Sequence, residues 1–289
     1  MGIECYNGSV INNSRHFLME ADIMKIGFLG AGAMGGAILS GAVKAGVIRP
    51  DDVYVYDVSK AITDKYAEMG CNVVSSNKEL GETVDILLSC VKPQYAAGAL
   101  AELGDTLDGK AMISIMAGLT TETIRKMTGG NFRLLRLMPN TPALVGMGAF
   151  ALDSGTDLTA DEKAFAQKLF ESLGIVEWMS EDLIDTACGL SGAGPAYIYL
   201  VIEALADGGV AKGLPRKTAQ NLAAQTVMGA AKMVLETGQH PGFLKDQVCS
   251  PGGNTIVGIK TLEEHGVRGA FIDTVIKSTE RTKELGKGK

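Results

Sequence analysis

This sequence has little of what builds covalent or metal-stapled frameworks: 5 cysteines and 3 histidines in 289 residues. Cys5, Cys71, Cys90, Cys188 and Cys249 are scattered, odd in number and form no C-x-x-C pair. That pattern argues against a disulfide scaffold or a zinc cluster and points to a reducing cytoplasm. His16, His240 and His265 are equally dispersed, so no metal site is expected. No run of eighteen apolar residues occurs, which excludes an obvious membrane span. A basic excess is missing too: the net charge of −6 argues against a nucleic-acid partner. Internal repeats and low-complexity tracts are also absent.

What is there is a chain 46% hydrophobic and 21% charged, long enough for one large domain or two ordinary ones. Residues 1–23 are polar and aperiodic, with neither signal-peptide nor presequence character, and are expected to form a disordered extension. From Met24 onward, short apolar runs alternate with helix-length segments. Strands are expected at 25–29, 53–56, 86–89, 112–115, 134–138, 148–151 and 175–178. Helices are expected at 33–45, 59–69, from about Gln94, and at 160–172. This alternation predicts a parallel, doubly wound sheet. After about Glu181 the strand signals stop. Ile198, Val201, Ile202 and Leu205 follow helical spacing, and further helical segments run through 219–234, 256–262 and 267–285. Their Ala- and Gly-rich apolar faces exceed what one thin layer can bury, so dimerisation through this half is expected.

Residues 247–255 read QVCSPGGNT. Pro251 fixes φ, and Gly252 and Gly253 let the backbone turn tightly and approach a ligand. The spacing predicts a helix from about Asn254, whose unpaired N–H groups could hold a carboxylate or phosphate without any charged side chain. Ser250 and Thr255 add hydroxyls, although a serine here can also cap a helix and a threonine can bond its own backbone.

A second signal lies at 30–35, GAGAMG, which satisfies G-x-G-x-x-G between a predicted strand and a predicted helix. In that setting Gly30 serves the tight turn, Gly32 the approach of a pyrophosphate and Gly35 close helix–strand packing. Asp57 ends the next strand, about 20 residues on, where a carboxylate can accept a ribose 2′-hydroxyl and favour NAD. Ser59 and Lys60 follow and could hold a 2′-phosphate, so NADPH and NADH both remain open. Segments 89–93, 116–118 and 138–142 also fall at strand ends, where such sheets bind ligands. Asn140, between Pro139 and Pro142, could bond a nicotinamide carboxamide or a ribose, or serve a local turn.

These segments give the chain a resemblance to the pyrroline-5-carboxylate reductase family. The carrying stretches are 27–35 (GFLGAGAMG), 91–93 (VKP), 138–142 (MPNTP), 181–185 (EDLID), 190–197 (LSGAGPAY), 204–209 (ALADGG), 240–241 (HP) and 244–255 (LKDQVCSPGGNT). The resemblance spans nearly everything after Met24. It implies an α/β fold: a doubly wound, Rossmann-type dinucleotide-binding domain over 24–180, then an all-α dimerisation and substrate domain over 181–289. It implies a homodimer that assembles further, with each active site formed between the cofactor of one subunit and the helical domain of its partner. It implies that Leu29, Gly30, Ala31, Gly32, Ala33 and Met34 contact the pyrophosphate, and that Asp57, Ser59 and Asn77 lie near the adenosine. Val91, Lys92, Pro93 and Ala117 would line the nicotinamide side. Ser250, Gly252, Gly253, Asn254 and Thr255 would hold 1-pyrroline-5-carboxylate, with Glu181 nearby. Asp57 departs from the small polar residues of other members.

The expected chemistry is NAD(P)H-dependent reduction of a cyclic C=N bond, giving L-proline. Amides of the 250–255 turn would hold the carboxylate, and the Thr255 hydroxyl would bond the ring nitrogen. Two other readings stand beside it. One is another imine reductase or a β-hydroxyacid dehydrogenase of the same plan, with Lys212 of the GGVAK stretch 208–212 as its catalytic lysine. The other is a non-catalytic dinucleotide-binding protein.

Overall fold

The computed structural model describes residues 24–286; the expected extension at 1–23, with Cys5 and His16, lies outside them. The chain begins β1 (Ile26–Leu29), α1 (Ala33–Lys44), β2 (Val53–Tyr56), α2 (Lys60–Glu68), β3 (Asn72–Val73), α3 (Asn77–Thr83) and β4 (Ile86–Ser89). It continues α4 (Ala96–Ala101), β5 (Ala111–Ser114), α5 (Thr121–Thr128), β6 (Arg133–Met138), β7 (Gly148–Asp153), α6 (Ala160–Glu171) and β8 (Gly174–Met179). Helices alone follow: α7 (Glu181–Ala187), α8 (Gly194–Ala211), α9 (Arg216–Thr237), α10 (Pro241–Gln247), α11 (Asn254–Glu264) and α12 (Val267–Gly286).

The strands form one sheet in the order β3-β2-β1-β4-β5-β6-β7-β8. Its central strands are buried on both sides, and successive residues feed opposite layers, as a period of two requires. Phe28, Ile86, Leu88 and Ile113 join the core under α1 and α6. Leu29, Leu87 and Met112 join the core on the opposite face, with Leu80 of α3 and Leu100 of α4. Each fully buried side chain of this size contributes about 1.5–3 kcal/mol.

The expectation of a parallel sheet needs one correction. β6 and β7 run antiparallel, with Leu137 opposite Leu152. The link from Met138 to Gly148 holds only a short 3-10 turn (Thr141–Val145), whereas a parallel crossover needs about a dozen residues or more. The short β3 and the helices α3, α5 and α10 were not expected from periodicity.

The helical half buries little of its own apolar surface. Leu200, Leu222, Met233, Leu235 and Val257 are exposed, and its buried cluster is the small set Ala206, Ala219 and Ala223. A π turn at Cys188–Gly192 joins α7 to α8. Gly189 is required there, because a Cβ would stand 2.8 Å from the Thr279 amide of α12. The Tyr197 hydroxyl closes the same turn by donating to the Gly189 carbonyl at 3.3 Å.

Candidate active site

Sheet order places the carboxyl ends of β2, β1 and β4 side by side, where the chain reverses direction across the sheet. That switch point is where doubly wound sheets bind nucleotides. The Gly30 amide donates to the Tyr56 carbonyl at 2.8 Å, and the Cys90 amide to the Leu29 carbonyl at 2.9 Å, so three strand ends are tied into one rim.

The three fingerprint glycines have separate physical reasons. Gly30 has φ +84, a conformation other residues resist. A Cβ at Gly35 would stand 2.9 Å from the Cys90 Cβ, so α1 can approach β4 only through a glycine. A Cβ at Gly32 would meet nothing within 4 Å. It would project into open space beside the α1 N-terminus, where Gly32 is the N-cap and no side chain supplies a cap.

The cleft over this rim has a volume of about 740 Å³. Leu29, Gly30, Gly32, Ala33 and Met34 line its floor, Asp57 and Asn77 one end, and Val91 and Lys92 the β4 side. Asp57 is built into the loop: one carboxylate oxygen accepts the Ala31 amide and the other the Ser59 amide, each at 2.9 Å. Asn77 is 5% exposed. Its amide nitrogen donates to Glu102 at 2.7 Å, while its carbonyl oxygen is buried without a donor. Burial pushes the Cys90 thiol up to about 12, so it packs and stays protonated.

Several expected residues stand outside this lining. Ala31 lines a neighbouring cavity behind α1, and Ser59 touches the site through its amide bond to Asp57. Pro93 opens the 3-10 turn after Lys92, and Ala117 packs against Met138, Ala151 and Ile184. Asn140 is turned to the fold: its oxygen accepts the Ala149 amide at 2.9 Å and its nitrogen donates to the Ser191 carbonyl at 3.1 Å. Cys90, within the expected segment 89–93, also lines the cleft; sequence reasoning missed Tyr56, Val58, Tyr95, Gly98, Ala99 and Glu102, which complete it. The last three reach it only because α4 folds beside α3, for which neighbouring residues carry no signal.

Glu181 also serves a junction. Its carboxylate accepts the Thr121 amide at 2.6 Å and lies 3.6 Å from the guanidinium of Arg136. Arg136, 2% exposed, donates to Asp185 at 2.5 Å. This ties β6 to α7 and to the start of α5, just after the turn that carries Ala117.

The 250–255 turn is formed as its sequence requires. Gly252 has φ +67, and the Gly253 amide donates to the Ser250 carbonyl at 3.0 Å. Gly253 is the N-cap of α11 in extended conformation, so the first-turn amides receive no side-chain acceptor. A Cβ on Gly253 would come 3.2 Å from the Ser250 carbonyl oxygen and closer still to its hydroxyl. Among the described residues, the Thr255 hydroxyl makes no hydrogen bond, so the local backbone bond available to it is not formed. Within one chain the turn does not meet the cleft, whose lining ends at Glu102.

Two family models match. One, described as NADP oxidoreductase coenzyme F420-dependent, covers residues 25–118; the other, pyrroline-5-carboxylate reductase dimerisation, covers 181–285. A pyrroline-5-carboxylate reductase of Methanosarcina acetivorans is 45% identical over 91% of this chain and 98% of its own. The chain belongs to the pyrroline-5-carboxylate reductase family. An Arabidopsis thaliana member is 42% identical over 92% of this chain and 96% of its own. The crystal structure of the Plasmodium falciparum pyrroline carboxylate reductase with NADP bound superposes with TM-score 0.83 at 37% identity, covering 91% of this chain and 98% of that one. Family membership makes the chain an NAD(P)H-dependent oxidoreductase acting on a C=N bond. It also accounts for the stretch Glu181–Ala211, which is long and apolar enough to cross a membrane but lies inside the dimerisation match.

Proposed function

We propose that this chain reduces 1-pyrroline-5-carboxylate to L-proline, the last step of proline biosynthesis, at a site built from the cleft of one subunit and the 250–255 turn of its partner. The observation that carries this reading is the Thr255 hydroxyl, without a hydrogen bond among the described residues, beside first-turn amides of α11 that no side chain caps. A turn with no charged group at its centre, offering several N–H donors and one hydroxyl, suits a small carboxylate next to a ring nitrogen.

The cleft fits a dinucleotide on two counts: the open space over Gly32 and the unpaired carbonyl oxygen of Asn77. Gly32, Ala33 and Met34 would hold its pyrophosphate, Asp57 and Asn77 its adenosine end, and Val91 and Lys92 its nicotinamide side. A reduced nicotinamide supplies a hydride when bound. The chain's own part is positional. The α11 amides and the Ser250 hydroxyl fix the carboxylate and thereby the face of the ring. The Thr255 hydroxyl holds the ring nitrogen and its proton, which keeps the imine carbon electrophilic. A threonine hydroxyl is a weak acid, so it orients more than it ionises.

The division into a cofactor domain at 24–180 and a helical domain at 181–289 goes with this reading: the last strand ends at Met179 and α7 begins at Glu181. So does a homodimer that covers the exposed apolar faces of α8, α9 and α11 and assembles into a larger ring. The scattered cysteines support a cytoplasmic location for the enzyme. A hydroxyacid reaction through Lys212 is disfavoured, because that residue is the exposed C-cap of α8, ahead of Gly213 at φ +97, and is not part of the cleft. The test is NAD(P)H oxidation by the purified protein with 1-pyrroline-5-carboxylate against a panel of 2- and 3-hydroxy acids with NAD(P)+. Turnover confined to the imine supports the reading; turnover confined to a hydroxy acid refutes it.

A further inference from the structure

We infer that this chain selects NADH over NADPH, and that Asp57 and Glu102 are the residues that set the choice. The inference rests on the proposed reductase reading only in taking the cleft to hold a nicotinamide dinucleotide.

The adenosine end of the cleft carries two carboxylates. Asp57 ends β2 and is held by the Ala31 and Ser59 amides, so it cannot swing away from an incoming group. Glu102, the C-cap of α4, closes the same end and is fixed by the Asn77 amide at 2.7 Å. Among the described residues, no cation lines that end. Lys60, the nearest in sequence, reaches back along α2 to Asp64 at 2.6 Å and is 84% exposed. Lys65 lies over the Tyr66 ring at 4.8 Å, in the separate cavity between α1 and α2 that also holds Lys44. Lys78 faces Glu82 at 3.9 Å. Lys92, the one cation in the lining among the described residues, follows β4 and so stands on the far side of β1 from Asp57.

A ribose 2′-hydroxyl is a donor, and this end of the cleft is rich in acceptors: two carboxylates and the buried Asn77 carbonyl oxygen that has no donor. A 2′-phosphate has no donor to give in its dianionic form and would stand among negative charges. Repulsion of this kind at a partly solvated site costs at least about tenfold in affinity.

The test is direct binding without imine. NADH and NADPH are titrated into the purified full chain by calorimetry, at low and high salt. The expected result is NADH binding at least about tenfold tighter, with the gap narrowing as salt screens the carboxylates. Asp57→Asn removes one charge and should tighten NADPH by about tenfold while changing NADH by much less. Glu102→Gln should act in the same direction, and it keeps an acceptor for Asn77 if the Asp57 variant fails to fold. Equal or tighter binding of NADPH by the unmodified chain overturns the inference, whatever the variants do. The two readings fail separately. NADH selectivity without imine reduction sinks the proposed reaction and leaves this inference standing, whereas imine reduction with tighter NADPH binding does the reverse.

Discussion

The buried guanidinium of Arg136 donates to the carboxylate of Asp185 at 2.5 Å, joining the sheet to the first helix beyond it. Arg136 also lies 3.6 Å from Glu181, one turn away on α7. Removing one partner of a buried pair strands the other charge and costs about 3–5 kcal/mol. Arg136→Met should therefore lower unfolding free energy by about 3 kcal/mol, seen as an earlier urea midpoint. An unchanged midpoint would mean that the junction holds by packing alone.

Gly32 and Gly35 should separate binding from folding. Gly35→Ala forces α1 away from Cys90 and should destabilise the chain by about 1–3 kcal/mol. Gly32→Ala meets nothing in the fold and should melt like the parent, yet bind dinucleotide at least about tenfold more weakly by filling the space a pyrophosphate needs. Equal behaviour of the two variants in both assays would contradict these assignments.

Thr255→Ala should lower kcat by about 10- to 100-fold, the worth of one hydrogen bond to a charged group, with little change in cofactor affinity. Thr255→Ser should restore most of it. Stopped-flow turnover with saturating imine is the measurement, and full activity in the alanine variant would remove Thr255 from the mechanism.

Glu162 gives a pH signature. Burial pushes its carboxyl up, but the Arg133 guanidinium and the Thr159 amide more than offset that and hold it below its ordinary value of 4.5. A carboxyl depressed on folding contributes stability above its unfolded pKa and loses it as pH falls through the lower folded value. Glu162→Gln should thus cost about 2 kcal/mol at pH 7, with the difference from the parent shrinking below about pH 4. A penalty independent of pH would assign Glu162 to packing instead.

Much of this was legible because local rules and tertiary demands coincide. Gly30, Gly32 and Gly35 are glycines for three different reasons: a left-handed backbone, open space for a ligand and the close approach of Cys90. Reasons of the same kind hold for Gly252 and Gly253 ahead of α11. The helix α3 carried a readable signal that periodicity missed: the Ser76 side chain accepts the Glu79 amide, the S-x-x-E pattern of a helix start. Glu102 could not be read, since it enters the site only through the packing of α4 on α3. Asn140 was legible as special but not in kind: two backbone groups from distant segments claim its amide before any ligand can. Glu181 is similar, because its partner Arg136 is a β6 residue whose inward direction is set by sheet register.

The composite active site is tested most directly by subunit complementation. Gly32→Val blocks the cleft, Thr255→Ala disables the turn, and each homodimer should be nearly inactive. Co-expressed and purified as mixed dimers, the two variants should regain substantial imine reduction, because one of the two sites would then combine an intact cleft with an intact turn. Mixed dimers as inactive as either parent would contradict the account.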